Sequence, residues 1–122
     1  MHRIFLTCDD AGFCEELRRS LHSEPDFIVC GETKNDIGAL KEAMKTLPHL
    51  VVMEMKSLPG DGLRIAEALK TILPEVPLFL VTDQNDSDTE KEALSRGIDA
   101  VFEKESDFAA IMTNARAVCG LE

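Results

Sequence analysis

The stretch Leu50-Val51-Val52-Met53-Glu54-Met55 decides the fold. Its first four residues are apolar without alternation, as expected of a strand covered on both faces in a parallel sheet. The turn residues Pro59-Gly60-Asp61-Gly62 follow it. A carboxylate, Glu54, stands at the end of the run.

Similar runs recur on either side. Residues 3–7 and 78–82 are nearly continuous apolar stretches, and residues 27–31 and 100–102 are shorter ones. Helical spacing fills the gaps between them. Phe13, Leu17 and Leu21 mark one helix face, and Ile37, Leu40, Met44 and Leu47 mark a second, stopped by Pro48. Ala66, Leu69 and Leu73 stripe a third helix. Ser87 and Glu90 read as a capping box for a fourth that ends at Gly97. Phe108, Ile111, Met112, Ala115 and Val118 form the face of a last helix. The fourth is the least apolar and is expected to be weakly anchored. Five β-α units predict a single domain over residues 1–122, an α/β flavodoxin-like doubly wound parallel sheet. Five strands in the order 2-1-3-4-5 would carry five helices.

A chain of 122 residues is long enough for a real hydrophobic core. Its net charge of -10 argues against direct nucleic-acid binding or attachment to an anionic membrane. No apolar stretch approaches the ~20 residues needed to cross a bilayer, and the N-terminus lacks a signal-peptide core. Cys8, Cys14, Cys30 and Cys119 lack metal-ligand spacing, so buried reduced thiols in a cytoplasmic protein are expected. The terminal Leu121-Glu122 is compatible with a longer protein cut at this point.

In doubly wound sheets ligands bind beyond the carboxyl ends of the strands. Asp9, Asp10, Glu54, Thr82 and Lys104 all fall at such ends. Acidic groups gathered there need a cation nearby. Magnesium suits one or two carboxylates plus water and phosphate oxygens, while a threonine hydroxyl and a lysine ammonium suit a phosphoryl group. Asp9, Asp10 and Glu54 are therefore candidate metal ligands. Thr82 and Lys104 are candidate phosphate contacts.

With these residues in order, the chain resembles a response-regulator receiver domain, the phosphorylated module of two-component signalling. The resemblance covers nearly all of the chain and includes the Pro59-Gly60-Asp61-Gly62 turn. Residues 23–27 with Gly31 and Glu32 are similar to receivers joined to helix-turn-helix outputs; no output domain is present in this chain. The resemblance implies that Asp9 and Asp10 hold magnesium, that Thr82 is the switch hydroxyl and that Lys104 pairs with the phosphoryl group. It implies a histidine kinase as partner. It also implies a partner or homodimer face on the fourth helix, fifth strand and fifth helix.

The phosphoacceptor position, however, carries Glu54 where the family has Asp. One added methylene moves the carboxylate about 1 to 1.5 Å outward, and a misplacement of ~1 Å can cost ~100-fold in rate. The expectation is a pseudo-receiver that is not phosphorylated, binds magnesium weakly or not at all, is not an enzyme, and acts through protein–protein contact. The longer side chain would carry its charge towards Thr82 and Lys104. Further departures are Asp83 after the switch hydroxyl, Val101 where an aromatic is frequent, and Glu105 where proline is frequent. Asp83 either narrows the opening for a phosphoryl donor or points to solvent. Lys56, two residues beyond Glu54, is read as a solvated lysine, with pairing to Glu54 as the alternative. Two alternatives stand beside this reading. One is an ordinary phosphorylatable receiver of a DNA-binding regulator carrying an Asp-to-Glu change. The other is a metal-dependent phosphoester hydrolase, which His2, His22 and His49 do not support, lying away from that edge.

Overall fold

The computed structural model describes residues 1–56, 63–83 and 86–121. Five parallel strands, β1 (His2–Cys8), β2 (Phe27–Thr33), β3 (Leu50–Met55), β4 (Leu78–Thr82) and β5 (Ala100–Glu103), form one sheet in the order β2-β1-β3-β4-β5. The helices between and after them are α1 (Ala11–His22), α2 (Gly38–Thr46), α3 (Leu63–Ile72), α4 (Ser87–Ser95) and α5 (Phe108–Val118). This is the flavodoxin-like arrangement expected from the spacing. The Pro59-Gly60-Asp61-Gly62 turn lies outside the described residues.

The core is split by the sheet. One layer gathers Ile4, Leu6, Val52, Phe79 and Val81 against Phe13 and Leu17 of α1 and Ile111 and Ala115 of α5. The other gathers Phe5, Val51, Met53 and Leu80 against Ala39 and Ala43 of α2, Ala66 and Leu69 of α3, and Ala93 of α4. Successive β3 residues therefore face opposite layers, and all six are buried. That explains the missing alternation in its sequence.

Two local readings need correction. Ile37, Met44 and Leu47 are exposed, and α2 instead buries Ala39 and Ala43. Small residues let that helix approach the sheet closely, which the larger apolar side chains would prevent. The cap of α4 is Asp86 rather than Ser87; its carboxylate accepts the Thr89 N–H at 2.8 Å. Because α4 buries only Ala93, whereas α1 buries Phe13, Cys14, Leu17 and Leu21, its weak anchoring follows as expected. A fully buried Leu or Phe is worth about 1.5–3 kcal/mol, and α4 has none.

Strand register sets the functional edge. Cys8 pairs with Glu54, Met55 with Thr82, and Thr82 with Glu103. Residues 9, 10, 54, 82 and 104 consequently emerge at one end of the sheet. On the far side β2 shifts register between Ile4 and Phe5, leaving Gly31 opposite Phe5. A Cβ at Gly31 would lie 2.9 Å from the Phe5 ring, so glycine is required there.

Candidate functional site

The site is built from the β1–α1 turn inward. Asp10 caps α1, its Oδ1 accepting the N–H groups of Gly12 at 2.9 Å and Phe13 at 3.3 Å. The turn so fixed aims two more backbone N–H groups at β3. Those of Asp9 and Asp10 donate to Glu54 Oε1 at 2.9 and 2.7 Å. The backbone of Glu54 is held as well: Asn35 Nδ2 donates to its carbonyl at 2.6 Å, and Thr7 Oγ1 donates to Asn35 Oδ1 at 2.6 Å.

The other carboxylate oxygen meets Lys104. Nζ lies 2.7 Å from Glu54 Oε2, 3.1 Å from Asp83 Oδ1 and 3.4 Å from Asp10 Oδ2. The Oε2 contact is a short, buried ion pair. Lys104 arrives here because its N–H bonds the Thr82 carbonyl at 2.8 Å, continuing the β4–β5 ladder. Its ammonium also stands 5.3 Å from the centre of the Phe13 ring.

Burial matters on both sides of the pair. Glu54 is 0% exposed and the Lys104 side chain 12%. Burial pulls the Lys104 ammonium down in pKa, but the carboxylates of Glu54, Asp83 and Asp10 outweigh it and hold it well above the ordinary lysine value. Asp10 is held below the usual carboxylate range, first by the Phe13 N–H, against some burial, and then by Lys104 and the Gly12 N–H.

A cleft of about 350 Å³ opens above this cluster, lined by Asp10, Lys56, Asp83, Lys104 and Glu105. Glu54 is not among its walls. Of the predicted site residues, Asp10, Glu54 and Lys104 are thus brought into direct contact. Asp9 is exposed and accepts the Lys56 N–H at 3.3 Å. Thr82 is buried at the end of β4. Asp83 turns its carboxylate to Lys104, and Lys104 rather than Lys56 is the partner of Glu54. Phe102 is buried in the layer with Phe79, while Val101 packs on the opposite one. Among the described residues no group of three or more His, Cys, Asp and Glu is arranged to hold a metal.

Sequence reasoning missed Asn35, whose role depends on the β2–α2 turn and leaves no signal in the chain. It also missed the ring contact of Phe13, read only as a core position. The expectation of four reduced thiols is overturned in part: Cys8 and Cys14 form a disulfide, while Cys30 and Cys119 are free. The tight β1–α1 turn brings their Cα atoms to 6.1 Å, within bridging range. No sequence motif signals that approach.

The response regulator receiver domain profile matches residues 4–116. The chain belongs to the response-regulator receiver family. Among its relatives is BvgA of Bordetella pertussis, whose name ties it to virulence factors and positive transcription regulation. It is 28% identical over 118 residues, covering 97% of this chain and 56% of BvgA. A protein-glutamate methylesterase/protein-glutamine glutaminase of Syntrophus aciditrophicus is 31% identical over 87% of this chain and 31% of its own length. The receiver chain thus spans about half the length of the first of these relatives, and less of the second. Among solved structures, a LuxR-family two-component response regulator from Aurantimonas sp. SI85-9A1 superposes with a TM-score of 0.87 at 24% identity, covering all of this receiver and 88% of that chain. The response regulator domain of Thermotoga maritima CheB gives 0.83 at 16% identity, covering 100% and 98%. At such identities these likenesses show the receiver fold.

Proposed function

We propose that this receiver is a pseudo-receiver, a cytoplasmic signalling module that is not phosphorylated and works through protein–protein contact. One observation carries the reading: the Glu54 carboxylate is fully buried, with Oε1 held by two backbone N–H groups and Oε2 by Lys104. A nucleophile must reach its donor, and this one is sealed beneath the cleft it should serve. Three carboxylates already face one ammonium there, so an incoming phosphoryl dianion meets net negative charge.

The same geometry supports weak or absent magnesium binding. The Lys104 ammonium stands among the carboxylates that would coordinate the ion, and Glu54 Oε1 spends its acceptor capacity on backbone donors. An internal cation thus takes the role of an external one. The result resembles a fixed, single-charge substitute for the occupied site, which a partner such as a histidine kinase or an output domain would read as one constant state. The α4–β5–α5 surface is the proposed partner or homodimer face, and the loosely anchored α4 supports it. The transcription-regulator relatives support a DNA-binding output elsewhere in the full protein, with nucleic-acid contact left to that domain.

The hydrolase reading has no support at this edge. His49 Nδ1 accepts the Arg3 N–H at 2.9 Å near the start of β1, and His22 Nε2 accepts that of Val29 at 3.2 Å, so neither is placed as a general base for the cleft.

Incubation with acetyl phosphate and magnesium, followed by intact mass, tests the proposal. No acyl-phosphate is expected on Glu54. A phosphorylated species there would instead establish the ordinary receiver with an altered acceptor.

A further inference from the structure

The disulfide sits where it can act on the site. Cys8 is the last residue of β1 and the strand partner of Glu54, and Cys14 lies in the first turn of α1. The bond therefore closes a loop around Asp9 and Asp10, the two residues whose N–H groups hold Glu54 Oε1. A pocket of about 240 Å³, separate from the cleft over Lys104, is lined by Cys8 and Cys14 together with Asp9, Ala11, Glu32 and Lys34. One of its acids, Glu32, is neutralised by Arg18 at 2.7 Å.

We propose that Cys8–Cys14 is a reversible thiol–disulfide exchange site, and that its redox state sets how firmly the β1–α1 turn grips Glu54. Its co-reactant is a small thiol of the glutathione class. Cys8 is 6% exposed and Cys14 1%, so the incoming thiolate attacks Cys8 Sγ. The Cys8–Cys14 bond breaks, a bond from Cys8 to the incoming sulfur forms, and Cys14 leaves as a thiolate. A second thiolate attacks the mixed disulfide at the external sulfur and departs with it as the external disulfide, releasing Cys8. Two external thiols are oxidised, the cystine is reduced by two electrons, and the protons lost by the external thiols end on Cys8 and Cys14.

Reduction removes the covalent staple from the turn. The turn is then held by non-covalent contacts only, among them the Asp10 cap, the Lys56 N–H on Asp9 and the Lys104 ammonium beside Asp10, and the hold on Glu54 loosens. This coupling rests on the reading of Glu54 as a fixed anchor; the exchange chemistry does not.

The experiment uses the whole chain with Cys30 and Cys119 changed to Ser, equilibrated in glutathione buffers of graded reduced-to-oxidised ratio. Alkylation and mass analysis should give a reversible two-thiol transition at Cys8 and Cys14. Hydrogen exchange should show the Asp9 and Asp10 amides exchanging about tenfold faster or more in the reduced protein, a larger acceleration than that of the β4 amides, which follow global opening. The Cys14→Ser variant should trap a glutathione adduct on Cys8. Free thiols at Cys8 and Cys14 throughout the oxidised buffers would overturn the exchange site. A reversible transition with identical amide exchange in both states would overturn the coupling. Should Cys14→Ser not fold, the oxidised and reduced forms of the parent chain still decide both. Phosphorylation of Glu54 is a separate readout, so failure of the pseudo-receiver reading is distinguishable from failure of either half.

Discussion

Glu54 Oε2 and Lys104 Nζ approach to 2.7 Å, joining the ends of β3 and the β5 edge across β4. Because Glu54 has no exposed surface, nothing but protein stabilises its charge. Lys104→Met should therefore cost about 3–5 kcal/mol, the usual penalty for orphaning a buried charge. Urea denaturation measures it. The double variant Glu54→Gln with Lys104→Met should lose clearly less than the sum of the two single variants.

Glu54→Asp withdraws the carboxylate by one methylene. The Asp9 and Asp10 N–H groups and Lys104 cannot all follow, so stability should fall by about 1–3 kcal/mol. The freed acids should also take up magnesium better, so that added magnesium raises the melting temperature of the variant more than that of the parent.

Asn35 is predicted to be a positioning residue for Glu54. Its amide holds the Glu54 carbonyl at 2.6 Å, and Thr7 fixes its orientation. Asn35→Ala should cost about 0.5–1.5 kcal/mol in thermal or urea unfolding. Asn35→Asp should cost more, because an acceptor would then face a carbonyl oxygen.

The pH dependence follows from two shifted groups. Lys104 is raised above its unfolded value by its three carboxylates, so its contribution is complete below about pH 10.4 and is lost as pH rises through the higher folded value. Asp10 is depressed, so its contribution is present above about pH 3.9 and is lost as pH falls through the lower folded value. The urea midpoint of the parent should fall on both flanks. In Lys104→Gln the alkaline decline assigned to this residue should disappear.

Much of the architecture was readable from the order of residues. The bounds of β3 and β4 matched their apolar runs, and the 2-1-3-4-5 order followed from five β-α repeats. Parallel strands buried on both faces must be apolar throughout, so their sequence declares them. The α2 stripe misled because apolar spacing does not say which face a helix turns to the sheet. There the need for close approach selected Ala39 and Ala43. The Ser87 cap was displaced by one residue because Asp86 offered a carboxylate in the same turn.

The sequence alone determined that Asp9, Asp10, Glu54, Thr82 and Lys104 would reach one edge, since strand ends in a parallel sheet share a side by topology. Only the folded chain decided their relations: that Glu54 is sealed by two amides and one ammonium, that Asp83 turns to Lys104, that Asn35 holds the strand, and that Cys8 bonds Cys14. Those depend on side-chain directions and loop closures a few ångströms wide. Spacing along a chain does not encode contacts between residues that meet only after the sheet has closed around them.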